Sequence, residues 1–229
     1  MKKLLFTLLA VLLLAGCIKE DSVTYSGIEA GTITSGVFIS DNLTSMNIVG
    51  NEGNYDITSS RRVLVSLQTH PVTDAGRIDI DLLGLWEAII IEPSSIDALP
   101  DAPNGSPIEV SDAWFGAGYL NILASFSGND ASLHALSASY KADENNVVIR
   151  LHHDGSKDTA TGDKVVNVFL CIPMYEPLLS YDQCAIATGK KQGSYPAPVL
   201  LQWTSRTMEG GPLTLYERKG SYTPPVSGN

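Results

Sequence analysis

Histidine, cysteine and charge are all scarce in this chain, and each scarcity closes off a chemistry. Four histidines and three cysteines in 229 residues leave few ways to bring three or four metal ligands to one point. No Gly-x-Ser-x-Gly, no His-Glu-x-x-His and no phosphate-cradling glycine loop occurs. The 15 basic residues are outnumbered by 25 acidic ones, a net charge of −10, which opposes binding to nucleic acid or anionic lipid by general attraction. No internal repeat or low-complexity tract is visible. What is present is apolar content of 44% with only 17% charged residues, the composition of a chain that folds around a core.

The clearest signal lies at the start. Lys2 and Lys3 precede an almost unbroken apolar run from Leu4 to Ala15, followed by Gly16 and Cys17. The run is too short to span a bilayer as a mature helix, which needs about 20 residues. Leu14-Ala15-Gly16-Cys17 resembles a bacterial lipoprotein signal, cut before a cysteine whose thiol carries lipid. An ordinary cleaved signal followed by a free cysteine is the alternative. Removing residues 1–16 takes two of the 15 basic residues and no acid, so the mature chain is more acidic still. Lys19-Glu20-Asp21 resembles the surface-export signal of Bacteroidetes lipoproteins, which sends the anchored protein to the outside of the outer membrane. A solvated acidic tether over 17–26, facing the periplasm, is the other reading.

Period-2 patterns dominate the rest and make the chain all-β. Strands are expected over Thr32–Thr34 leading into Gly36–Ile39, and over Met46–Val49, Val63–Leu67 and Arg77–Leu82. Trp86–Ile91 reads as a further strand buried on both sides. Turn residues separate them. Five short strands in about 65 residues suit a small barrel such as an OB-fold over 27–92, with an open five-strand sheet as the alternative. Pro93, Pro100, Pro103 and Pro107 then mark a linker over 93–107, since proline cannot donate to a ladder. From 108 to 229 strands resume: Gly118–Phe126, Leu133–Tyr140, Asn146–His152 and Val165–Ile172. Val199–Thr204 and Leu213–Arg218 form a closing hairpin around Gly210-Gly211. This pattern points to an antiparallel β-sandwich. Helix is confined to a possible turn near Pro177–Ala187.

The run from Asp112 to Ile122, Asp-Ala-Trp-Phe-Gly-Ala-Gly-Tyr-Leu-Asn-Ile, resembles the start of the C-terminal domain of NigD-like lipoproteins. So does Arg150-Leu151-His152-His153-Asp154, followed by Asp158 and a strand ending in Phe169. The resemblance implies a Bacteroidetes source, an OB-like first domain and an immunoglobulin-like β-sandwich second. It also implies an immunity or accessory role in a bacteriocin-associated setting, with no established biochemical activity to carry over.

Few residues qualify as sites. With Cys17 assigned to lipid, only Cys171 and Cys184 can pair, and the compartment favours that bridge over two buried thiols. Trp86, Trp114 and Trp203 are core residues or stacking platforms for a sugar or peptide, with Trp114 the best platform because glycines surround it. His152 and His153, adjacent in a strand, face opposite sides of a sheet. A His134–His153–Asp154 metal cluster is therefore weighed against hydrogen-bonded framework residues, which the pattern favours. Asp154 and Asp158 flank Gly155 and order a turn more readily than they hold calcium. Asp21-Ser22-Val23 and Asp158-Thr159-Ala160 resemble Bacteroidetes O-glycosylation sites. The expectation is a non-enzymatic lipoprotein without cofactor or metal. It would meet the membrane through Cys17 and bind a protein or glycan partner, but not nucleic acid. An envelope-polymer hydrolase and a structural subunit of an outer-membrane complex are the rivals.

Overall fold

The computed structural model describes residues 24–71, 77–99, 104–158, 164–189, 195–208 and 210–223. Cys17, Lys19, Glu20, Asp21, Ser22 and Val23 lie outside the described residues, as do Thr159 and Ala160.

The first unit is a closed barrel of β1 (Ser26–Thr34), β2 (Val37–Ser40), β3 (Ser45–Asn51), β4 (Arg61–Thr69) and β5 (Asp79–Glu87), in the order β1-β2-β3-β5-β4. All pairings are antiparallel except β3 with β5, giving an OB-like barrel. Ser35 and Gly36 both take positive φ (49° and 79°), the backbone of a two-residue hairpin turn whose twist matches its strands. The interior is filled by alternate residues: Ile33, Phe38, Val63, Val65, Leu67, Ile80 and Leu82 are fully buried. A Cβ at Gly31 would collide with the Ile39 carbonyl and the Phe38 ring, so the close approach of β1 to β2 needs glycine there. Leu64 and Ala30, on the outward face, are buried as well, because that face meets the second unit. This is why Val63-Leu64-Val65 reads as a continuous apolar run.

The second unit packs two sheets face to face. One has the order β14-β13-β11-β10-β7 and the other β6-β12-β9-β8. The strands are β6 (Ile89–Ile90), β7 (Ser94–Ser95), β8 (Glu109–Gly116), β9 (Tyr119–Ser127), β10 (Ala135–Ala142), β11 (Val147–Asp154), β12 (Val165–Pro173), β13 (Ala197–Arg206) and β14 (Leu213–Tyr222). Ile122, Val147, Ile149, Leu170 and Ile172 lie at its centre, none of them exposed.

Four expectations need correction. The sandwich is mixed rather than wholly antiparallel: β13 runs parallel to β11, and β6 and β7 pair parallel with β12 and β10. Second, 93–107 is not simply a linker, since Ser94–Ser95 is an edge strand of the sandwich and Ile89–Ile90 also belongs there. β5 ends at Glu87 and β6 begins at Ile89, and Trp86, Ile89 and Ile90 are substantially exposed, so Trp86–Ile91 is neither one strand nor buried on both sides. Third, Tyr175–Ala187 forms a 13-residue helix, α1. Pro177 sits in its first turn, where no intrahelical donor is needed. Pro177, Leu178, Tyr181 and Ala185 make its buried face. Among the described residues no helix is long and apolar enough to cross a membrane.

The fourth correction is the Cys171–Cys184 bridge. Both thiols are free. Along β12, Leu170 and Ile172 point into the sandwich while Phe169 and Cys171 point outward to the barrel. Cys184 lies on α1, at the other side of that sheet, and donates to the Ala142 carbonyl at 3.7 Å. Alternation along the strand thus aims the two sulfurs away from each other.

Candidate functional site

The outward face of β1, β4 and β5 meets the outward face of β8, β9 and β12. Ala30 and Leu64 from the barrel bury against Phe169 and Cys171 from the sandwich, with Trp114, Tyr119 and Leu123 packed around them. Trp114 stacks on Phe169, ring centroids 6.1 Å apart and 10° from parallel.

One end of this junction is closed by charge. Arg62, on β4, is 6% exposed. Its Nη2 donates to Asp41 Oδ1 at 2.7 Å and to Asn121 Oδ1 at 2.7 Å, and its Nε donates to Cys171 Sγ at 3.1 Å. Asn121 closes the ring by donating to Asp41 Oδ2 at 2.8 Å. The Cys171 thiol donates to Asn121 Oδ1 at 3.2 Å. Tyr119 lies face-on to the guanidinium, 4.5 Å from ring centroid to Cζ, a cation–π contact. Burial pushes the Cys171 thiol up to about 11, against the opposing pull of Arg62. The sulfur is therefore a neutral packing and hydrogen-bonding group rather than a nucleophile. Two residues of the barrel and two of the sandwich share one buried network, which fixes how the domains meet.

The other end is open. Leu64, Ile28 and Trp86 from the barrel face Leu123, Val168 and Phe169 across a cavity of about 310 Å³. A second cavity of about 410 Å³ shares Ile28, Leu64 and Leu123 and reaches Trp114, Asp41 and Asp112. Together they form a groove of the size that ligands occupy. Ile28 is 63% and Trp86 52% exposed, so large apolar surface borders the opening. Trp114, the platform expected from sequence, lines this groove. Trp86 joins it, whereas Trp203 is a core residue of the sandwich, 8% exposed and stacked on Tyr216.

The histidines gather elsewhere, at one end of the sandwich. His134 Nδ1 and His153 Nε2 are 2.8 Å apart, and His134 Nε2 and Asp158 Oδ2 are 3.1 Å apart. His153 Nδ1 lies 2.9 Å from the Pro107 carbonyl. Both rings stack near Phe126, each at 4.5 Å. A carbonyl only accepts, so His153 Nδ1 carries a hydrogen and its Nε2 accepts from His134 Nδ1. One further proton must then lie between His134 Nε2 and Asp158, whose Oδ2 also accepts the Asn129 amide at 2.6 Å. Burial holds the His153 pKa below the ordinary histidine value, in keeping with a neutral ring. The third member is Asp158 and not Asp154, which instead accepts the Ser156 amide in a local turn. Both nitrogens of each ring are spent inside the fold, and among the described residues no group of three His, Cys, Asp or Glu is placed to hold a metal. His152 points to the opposite face and meets Ser139 at 2.7 Å.

By sequence, no family model and no curated protein matches the chain. Solved structures do share its fold. A NigD-like immunity protein from Bacteroides caccae is 16% identical, with a TM-score of 0.61 over 88% of this chain and 98% of that one. A Bacteroides vulgatus protein of unknown function, DUF1344, is 12% identical with a TM-score of 0.56, covering 90% of this chain and 93% of its own. A candidate lipoprotein from Bacteroides fragilis is 11% identical, also at 0.56, with 84% and 97% covered. The NigD-like fold implied by the sequence resemblance is thus the fold observed, barrel and sandwich together.

Proposed function

We propose that this chain is a non-catalytic binding module, anchored in the outer membrane by lipid at Cys17 and turned outward by Lys19, Glu20 and Asp21. Its contact surface is the groove between barrel and sandwich. The observation that carries the reading is Trp86, a large aromatic left half-exposed over Leu64 and Phe169, at the open end of a junction whose other end is locked. A rigid frame with an apolar recess is how β domains present binding surfaces. In the groove lining Ser111 donates to the Leu123 carbonyl at 3.1 Å and Asp41 is bound to Arg62, so among the described residues no hydrogen bond joins a nucleophile to a base there, and the histidine chain is consumed in bonds to the fold. Shared fold with a lipoprotein candidate and with an immunity protein supports an accessory role at the envelope, of which bacteriocin immunity is the finer form.

The test has two arms. Cys17→Ser should remove the protein from salt-washed outer membranes, since acyl chains provide the hold. Replacing Lys19, Glu20 and Asp21 by alanine should leave it anchored but shielded from protease added to whole cells. For the groove, crosslinking on intact cells should yield a discrete adduct that disappears in Trp86→Ala. Membrane retention of Cys17→Ser would sink the anchor, and an undiminished adduct would sink the groove.

A further inference from the structure

The walls of the groove differ along its length, and the difference selects an occupant. This inference rests on the groove being the contact surface. The smaller cavity is almost wholly aliphatic and aromatic; only Ser111 and Asn167 offer polar side chains. The larger one adds Glu29, Asp41 and Asp112, and neither cavity is lined by Lys or Arg. Asp41 is committed to Arg62 and Asn121. Asp112 keeps 53% of its side chain exposed and shares one oxygen with Arg218 at 2.9 Å. No hydrogen bond or ion pair engages the Glu29 carboxylate among the described residues. Apolar surface is therefore followed by carboxylate, in a chain whose net charge is −10.

Beside Trp86 a sugar would find only Ser111 and Asn167 to bond, and beside Trp114 Asp41 is already taken by Arg62 and Asn121 and Asp112 by Arg218, which leaves few free polar groups for its hydroxyls. A volume of about 310 Å³ takes one or two large side chains, not a domain. Edge strand β8 borders the groove, but its bulge between Val110 and Asp112 interrupts any long added ladder. Side-chain pockets, more than main-chain pairing, must hold the occupant. We propose that the groove takes a short extended peptide segment in which an aromatic or branched aliphatic side chain lies next to a lysine or arginine. The apolar group sits between Trp86 and Phe169, and the cation meets Asp112 and Glu29.

The test uses the full chain in nanodiscs of neutral lipid and four fluorescent probes. Three are hexapeptides with the centres Leu-Phe-Lys-Arg, Leu-Phe-Glu-Asp and Ser-Ser-Lys-Arg; the fourth is a neutral hexasaccharide. The first should bind at least about tenfold more tightly than the other three. Trp86→Ala and, independently, Ile28→Ser should abolish that preference. Asp112→Asn should weaken the first probe about fivefold, the scale of one partly exposed ion pair, and flatten its salt dependence. Equal binding of the acidic peptide, preference for the saccharide, or affinity unchanged in Trp86→Ala would overturn the proposal. If the peptides fail while Trp86→Ala still abolishes the adduct on cells, the peptide chemistry is wrong and the groove stands. If that adduct persists, both fall.

Discussion

The two ends of the domain junction use the same pair of sheet faces to opposite effect. At the closed end, Arg62, Asp41, Asn121 and Cys171 hydrogen-bond to one another, with Arg62 Nη1 buried without a partner. At the open end, Ile28 and Trp86 stay largely in water. Hydrophobic contact alone has no direction, so two apolar faces could slide or rotate. A buried guanidinium with three acceptors cannot shift without losing bonds in a low dielectric, where losing them is costly. The closed end thus sets the angle between the domains, and that angle holds the open end open. Polar groups that look like a site serve geometry here, while the proposed contact surface is mostly apolar.

Breaking the lock should have the largest effect. Arg62→Ala leaves the largely covered Asp41 with only Asn121 for company, and is expected to cost up to about 3 kcal/mol in urea unfolding, the scale of a broken buried ion pair. The pair itself is not worth that much, so Arg62→Met combined with Asp41→Asn should recover stability while loosening the interdomain angle. Equal unfolding midpoints for wild type and Arg62→Ala would show that apolar packing alone sets the junction.

The histidine chain gives a second, smaller effect away from the junction. His134→Ala removes the link between His153 and Asp158 and leaves buried groups unpaired, a loss of about 2 kcal/mol. Histidines on both faces of β11 make stability depend on pH. His152 and His153 have pKa values held below 6.5, by burial first. In the window below 6.5 the unfolded chain therefore takes up protons that these native rings refuse. Stability should be full above that value and fall as pH drops toward the depressed ones. Rising stability between pH 6.5 and 5.5 would contradict the neutral assignment of His153.

How much of this was legible in the sequence follows from how far each contact reaches. Val63–Leu67, Val165–Ile172 and the hairpin from Val199 to Arg218 were plain, because alternation is local and each strand carries its own pattern. Glycine neighbours singled out Trp114, which lines the groove; that a ligand stacks on it is part of the proposed function. The helix was not, because Pro177 reads as a breaker until its place in the first turn is known. Trp86 read as buried because an apolar run does not say which face will stay uncovered. The lock was invisible: Arg62 meets partners 21, 59 and 109 residues away. Asp154 was the natural third member of the histidine cluster by its proximity to His153, yet the chain brings Asp158 to His134 instead.

The cysteines give the smallest effect. Cys184→Ser should leave the urea midpoint unchanged within about 0.5 kcal/mol, the range for substitutions away from special features. Protein unfolded without reductant should alkylate at both Cys171 and Cys184. A bridged peptide in its mass spectrum would restore the discarded pairing and with it a different packing of α1.

The contrast between the two ends is tested most directly by hydroxyl-radical footprinting of the tryptophans, on purified protein and on intact cells. In the purified protein Trp86 should oxidise fastest, Trp114 more slowly and Trp203 hardly at all, in line with their burial. On cells Trp86, and with it Trp114 in the same groove, should become protected while Trp203 is unchanged, the pattern expected when a partner fills the groove. Trp86 oxidising at the same rate in both settings, or already shielded in the purified protein, would contradict a groove held open for a partner.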